Sequence, residues 1–272
     1  MDASFVRICT VPALPPKAVD GLSEAVSSGP PTALVRADRD LNCTLLEWQV
    51  GGAVEPALRG ITAAFGSDRR APLLSIEVQE VGAADAARES ALCALLAESL
   101  DAPVYRARRE VPASAWAAQR PISFGVDGFA IRAIEATIKR PRSRAPGVSL
   151  EFGAPTLLLK VGLHGVPPSA LRRLCDAVGS DRGGLLHLGA YPAISSATGD
   201  PLVLLECSDP VKSPLARGIE LLGIEASRYG GAVGETALLS HMPLTALLGT
   251  LAVRMQLPVD AAQIIETHVT GS

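Results

Sequence analysis

The chain has 272 residues, with 25 Lys+Arg against 28 Asp+Glu and a formal charge of -3, and its pI is about 5.9. That weakly acidic balance excludes broad phosphate-backbone binding, which needs a domain-scale basic excess, so nucleic acid is not an expected partner. Hydrophobic residues make up 48% and charged residues 19%, a mixture able to bury a core and far from the composition of disordered chains. The mean hydropathy is +0.27, yet Gly, Pro or a charge cuts every apolar run before the roughly 18–20 residues a spanning helix requires, so no membrane segment is expected. MDASFVRICTVPALPP has an acid at Asp2 and lacks the basic start and apolar stretch of a secretory signal, which points to a cytoplasmic protein.

In chain order, Val6–Val11 reads as a strand, and Lys17–Ser27 places Val19, Leu22 and Val26 at helical spacing before Gly29-Pro30-Pro31. Thr32–Asp38 and Thr44–Gly51 read as strands joined by the polar turn Arg39-Asp40-Leu41-Asn42. Val54–Phe65 is a helix with Leu58, Ile61 and Phe65 on one side, and Leu73–Val81 is a strand. A helix at Asp85–Leu100 and a short strand at Pro103–Arg106 follow. Arg108–Gly153 carries Pro112, Pro121, Pro141 and Pro146, one helix at Gly128–Ile138 and the basic run Lys139-Arg140-Pro141-Arg142-Ser143-Arg144; it reads as a connector.

The same order then returns: strand Thr156–Leu163, helix Ser169–Val178, strands Leu185–Tyr191 and Leu202–Cys207, helix Pro214–Tyr229 and strand Ala232–Leu238. Ser213 is placed to cap the helix that Pro214 opens. Helices at Leu244–Met255 and Asp260–His268 end the sequence. The fold class is therefore α/β (α+β): two β-α-β-β-α-β ferredoxin-like sandwich subdomains, residues 1–145 including the connector and residues 146–272, with a ligand groove expected between them.

Phosphate-loop, dinucleotide and nucleophile-elbow motifs are absent from the sequence. Five cysteines (Cys9, Cys43, Cys93, Cys175, Cys207) and four histidines (His164, His187, His241, His268) are scattered, which suits buried reduced thiols and gives no metal-ligand spacing. Charge inside apolar strands is the better pointer to chemistry. Glu206 sits in LVLLECSD, where an acid needs a partner or a shifted pKa. Lys160 stands among Leu157, Leu158, Leu159 and Val161, and either snorkels out or faces the groove. Arg140, Arg142 and Arg144 form either a solvated linker or an anion site. His241, ahead of a helix, serves either acid–base work or capping. His187 and Cys207 read as core.

Residues Gly184–Leu248 resemble the formiminotransferase domain of glutamate formiminotransferases. LLHLGAY, LVLLECSDPVKSPLARGIELL, EASRYG and AVGETALLSHMPLTALL follow that family's hairpin, its Asp, its polar link ending in Thr-Pro-Leu, its long helix and its strand opening in VVGSE. LVRADRDLNCTLLEWQVGGAVEPALRGITAAF and LDAPVYR extend the likeness to nearly the whole chain at low identity. The resemblance implies two ferredoxin-like subdomains binding a tetrahydrofolate derivative between them, an acidic small-molecule ligand, one-carbon transfer and no metal. A homodimer or a homologous partner subunit would be ordinary for such a scaffold.

The sequence departs from the family at its chemistry. Pro12-Ala13-Leu14-Pro15-Pro16-Lys17 replaces the Pro-Asn-Phe-Ser-Glu-Gly opening, Arg70 stands where the catalytic His is expected, and Asn42-Cys43 keeps only the amide of an Asn-Arg pair. Arginine stays protonated and cannot act as a general base. The expected assignment is thus Arg70, Asn42, Lys160, Arg140, Arg142, Arg144 and Ser213 for ligand binding, with Glu206, Asp209 and His241 for proton handling. The alternatives are a catalytically silent binding or partner subunit and a new non-folate enzyme on the same scaffold.

Overall fold

A computed structural model describes residues 4–11, 19–20, 33–50, 73–80, 91, 94, 104–108, 148–153, 156–179 and 184–255. They are mixed α and β and fall into two compact units. β1–β6 and residues 193–199 belong to the first, and the other described residues from Thr156 onward to the second.

The first unit holds β1 (Ser4–Val11), β2 (Ala33–Asp38), β3 (Cys43–Val50), β4 (Leu73–Glu80), β5 (Val104–Arg108) and β6 (Val148–Gly153) in one sheet of order β2-β3-β1-β4-β6-β5. β1, β2, β3 and β4 pair antiparallel, whereas β6 runs parallel to both β4 and β5. The β2–β3 turn falls where the sequence places it. Asp38 Oδ1 accepts the Leu41 amide at 3.0 Å, and Asn42 takes φ +46, a left-handed conformation that Asn tolerates better than most residues. Within the same unit, Ser195 Oγ donates to Asp40 Oδ1 at 2.7 Å.

β6 differs from the sequence reading, which left Val148–Gly153 irregular. Val148, Leu150 and Phe152 lie in register with Leu74, Ile76 and Val78, so this short alternating segment completes the first sheet rather than opening the second. The expected helices at 17–27, 54–65, 85–100, 128–138 and 260–268 lie outside the described residues, save that Val19, Asp20, Ala91 and Ala94 are helical.

The second unit contains β7 (Leu157–His164), α1 (Leu171–Val178), β8 (Leu188–Ile194), β9 (Pro201–Cys207), α2 (Leu215–Ser227), β10 (Ala232–Leu238) and α3 (Leu244–Met255). Its sheet order is β10-β7-β9-β8, with β7 antiparallel to β9 and β10. α1 buries Leu171, Leu174, Cys175 and Val178, an i, i+3, i+4, i+7 stripe. α2 ends in a Schellman turn: Gly230 adopts φ +75, its amide reaches Ser227 O, and the Gly231 amide reaches Ala226 O at 3.0 Å. Residues 202–207 of β9 are buried throughout. No described helix is long and apolar enough to cross a membrane.

Two boundaries differ from expectation. β8 starts at Leu188 rather than Leu185, because Leu186 and His187 form a turn closed by the Leu188 amide on Leu185 O. α2 starts without the expected cap: Ser213 Oγ donates to Leu186 O instead, and no side chain caps the helix at Pro214.

Candidate functional site

Strand direction gathers the sequence-predicted residues of the second unit at one end of its sheet. β7 begins there, while β9 and β10 end there. Glu206 lies opposite Leu158, and the Leu158 amide donates to Ser240 Oγ at 3.0 Å, beside His241. Lys160 lies opposite Leu204 and Ala237, one step along β7 on the sheet face that Glu206 shares.

Glu206 is 2% exposed, and its Oε1 accepts the Thr156 hydroxyl at 3.3 Å. The next residue, Cys207, is buried against the helix side; its thiol donates to Ser213 O at 3.2 Å, and burial pushes its pKa up to about 12. Burial likewise raises the Cys175 thiol. Neither sulfur is in a disulfide, and both thiols are protonated at neutral pH, so they are poor nucleophiles. Asp209 is different. Partial burial pulls its pKa up, but the Lys212 amide and ammonium, with His187 adding a smaller effect, hold it below the usual carboxylate value. Its Oδ1 accepts the Lys212 amide at 3.1 Å and its Oδ2 meets Lys212 Nζ at 3.1 Å. An ionised carboxylate held this way organises its loop and is a weak proton acceptor at neutral pH. Half-buried His241, whose carbonyl accepts Ser240 Oγ at 3.1 Å, is the remaining acid–base candidate here.

Glu206, Asp209, Ser213 and His241 thus lie at the same end of the second sheet, with Lys160 on the face that Glu206 shares. Asn42 is exposed at the hairpin tip of the first unit, where its backbone serves the turn. Arg70, Arg140, Arg142 and Arg144 lie outside the described residues.

Sequence reasoning missed two features. His187, read as core, is buried but takes φ +65, an uncommon backbone conformation for a residue with a side chain. Its Nδ1 is buried and has no hydrogen-bond partner. In the first unit, Arg7 stands opposite Glu47 and binds it at 3.1 Å with both side chains 4% exposed. The β-rich character of SFVRICTV and CTLLEWQV marks those strands, but not their register. Among the described residues, no group of three or more His, Cys, Asp or Glu could hold a metal ion.

No family model matches the chain, and no curated protein does. Among solved structures, the chain is similar to an unknown protein from Galdieria sulphuraria, at 8% identity and a TM-score of 0.34, over 88% of this chain and 99% of that one.

Proposed function

We propose that the chain is a divergent formiminotransferase-like protein that binds a tetrahydrofolate derivative and transfers a one-carbon group with an altered donor or acceptor. The observation that carries this reading is a repeated strand order. β2-β3-β1-β4 in the first sheet and β8-β9-β7-β10 in the second follow the same second-third-first-fourth plan, which is that of a ferredoxin-like β-α-β-β-α-β unit. The resemblance runs through observed elements in the expected sequence: LLHLGAY spans the His187 turn and the start of β8, SPLARGIELL opens α2, and AVGETALL forms β10.

In this reading tetrahydrofolate is a substrate. Its acidic tail would be met by Lys160, and the formimino or formyl-type group would be handled at the polar end of the second sheet. His241 is the proton carrier there, since Glu206 is enclosed and Asp209 is committed to Lys212. A second reading, a catalytically silent binding subunit, is favoured by the same engagement: Glu206, Asp209 and Ser213 each hold the local structure through Thr156, Lys212 and Leu186.

Calorimetric titration of the full chain with tetrahydrofolate and 5-formyltetrahydrofolate tests the reading. Saturable binding is expected, and absence of heat with either compound overturns it. Binding without turnover on any amidine or formyl donor selects the silent subunit, whereas turnover lost in His241→Gln selects the enzyme.

A further inference from the structure

β8 carries one more polar side chain, Tyr191, and its register on β9 follows from a single bond. The two strands are neighbours in the sheet, joined by residues 195–200, and the Ser208 amide donates to His187 O at 2.9 Å. In an antiparallel hairpin each step forward along one strand matches a step back along the other. Leu188 therefore lies opposite Cys207, and Gly189 opposite Glu206. Glu206 is flanked in its row by Leu158 on β7 and by a residue without a side chain on β8.

The two sides of β8 are set by what they touch. A Cβ on Gly218 of α2 would meet Leu188 Cδ2 at 2.9 Å, and one on Gly179, at the end of α1, would meet Ala190 Cβ at 3.5 Å. Leu188 and Ala190 thus lie towards the helices, as does Cys207, whose thiol donates to Ser213 O. Gly189 and Tyr191 occupy the opposite face, with Glu206 and Lys160. Tyr191 uses the room over Gly189: a Cβ there would lie 2.6 Å from the Tyr191 hydroxyl oxygen and 3.0 Å from its Cε2 and Cζ. The ring therefore lies back along its own strand, with its buried hydroxyl oxygen standing above Gly189. Pro192 confines the Tyr191 backbone to extended conformations, which fixes the direction of the ring. Opposite residues on one face of an antiparallel pair have Cβ positions about 4.5–5.5 Å apart, so the hydroxyl stands beside the Glu206 carboxylate, within the span of one water.

We infer that Tyr191 is a positioning residue of this site: its hydroxyl, seated over Gly189, is coupled to the Glu206 carboxylate through one ordered water and orients it. Thr156 holds the carboxylate at Oε1, and Tyr191 acts on it from the neighbouring strand on the other side. The phenol is the donor and the carboxylate the acceptor, which favours ionised Glu206. The other charged or titratable groups around that end of the sheet are Lys160 on β7, His187 before β8, Asp209 after β9 and His241 after β10. Lys160 works in the same direction, and Asp209 opposes it weakly because Lys212 is paired to that carboxylate. The inference rests on Glu206 belonging to the candidate site and stands whatever the ligand is.

The test is ¹³C NMR of the full chain labelled at its glutamate carboxyls, with Glu206 assigned by its loss in Glu206→Gln. In Tyr191→Phe, Glu206 should ionise at higher pH than in the wild type while the other glutamates stay unchanged. Gly189→Ala, which drives a Cβ into the place of the hydroxyl, should give the same upward shift and should add nothing in the Tyr191→Phe background. Reciprocally, Glu206→Gln should let the Tyr191 phenol ionise at lower pH in an ultraviolet titration. The same Glu206 titration in the wild type and a folded Tyr191→Phe protein, or a Gly189→Ala shift that persists without the hydroxyl, would overturn the inference. If Gly189→Ala does not fold, Tyr191→Phe and the phenol titration decide. A lack of tetrahydrofolate binding leaves the inference intact and defeats only the one-carbon reading.

Discussion

The two sheets share a strand plan and use charge in opposite ways. In the first, the central strands β1 and β3 set Arg7 directly across from Glu47, and the pair is enclosed at 3.1 Å. In the second, the equivalent strands β7 and β9 set Glu206 across from Leu158 and Lys160 across from Leu204, so register faces each charge with a leucine. A charge compensated by its register neighbour belongs to the fabric of the sheet. One set at the sheet end among a hydroxyl, a histidine and a clamped turn is where chemistry can be done.

Breaking the first arrangement should have the largest effect. Arg7→Ala or Glu47→Ala leaves one buried charge without its ion-pair partner and should cost about 3–5 kcal/mol, whereas the apolar pair Arg7→Met with Glu47→Leu should be near neutral or stabilising. Urea unfolding of the three variants measures this, and a double-variant loss equal to the sum of the two single losses would show that Arg7 and Glu47 act independently. The Gly184 position comes next. A Cβ there would lie 2.2 Å from Val178 O, a clash with backbone, so Gly184→Ala should cost on the order of 1–3 kcal/mol by forcing the chain off α1; thermal unfolding reads it.

Glu206→Gln keeps the shape but replaces a charged acceptor, so it should cost about 1–2 kcal/mol, less than either half of the Arg7–Glu47 pair. A loss as large as theirs would mean that the second sheet also depends on a compensated charge. The smallest effect has the opposite sign. His187→Gly relieves a left-handed residue and should stabilise by roughly 0.5–1 kcal/mol in urea unfolding.

The pH dependence separates the groups further. Asp209 is lowered in the fold, so its contribution is present above the ordinary carboxylate value of 3.8 and lost as pH falls through its depressed one. Cys207 is raised, so its contribution is intact below 9.0 and disappears as pH climbs from there towards about 12. Labelling of Cys207 at pH 8 should therefore be slow in the native protein and complete only on unfolding.

Much of this arrangement was legible in the sequence, for reasons that also explain what was not. Short β-rich runs bounded by turn residues located β1 to β5, and the i, i+3, i+4, i+7 stripe of LRRLCDAV located α1. β6 was missed because VSLEFG is short and follows a proline-rich stretch; its identity depends on two long-range parallel pairings. That Glu206, Asp209, Ser213 and His241 lie at one end of the second sheet follows from strand direction alone. The role of Ser213 was not legible, because the cap was lost to a competing acceptor, Leu186 O, distant in sequence. His187 carried no signal in its neighbours: a left-handed histidine is decided by the turn that α1 and β8 impose on it.

Hydrogen exchange of the full chain with and without 5-formyltetrahydrofolate reads the division of labour between the sheets most directly. Slowed exchange is predicted in peptides covering residues 185–189, 206–216 and 239–242, with the Arg7 and Glu47 strands unchanged. Protection confined to the strands of the first sheet, or none at the end of the second, would contradict the account.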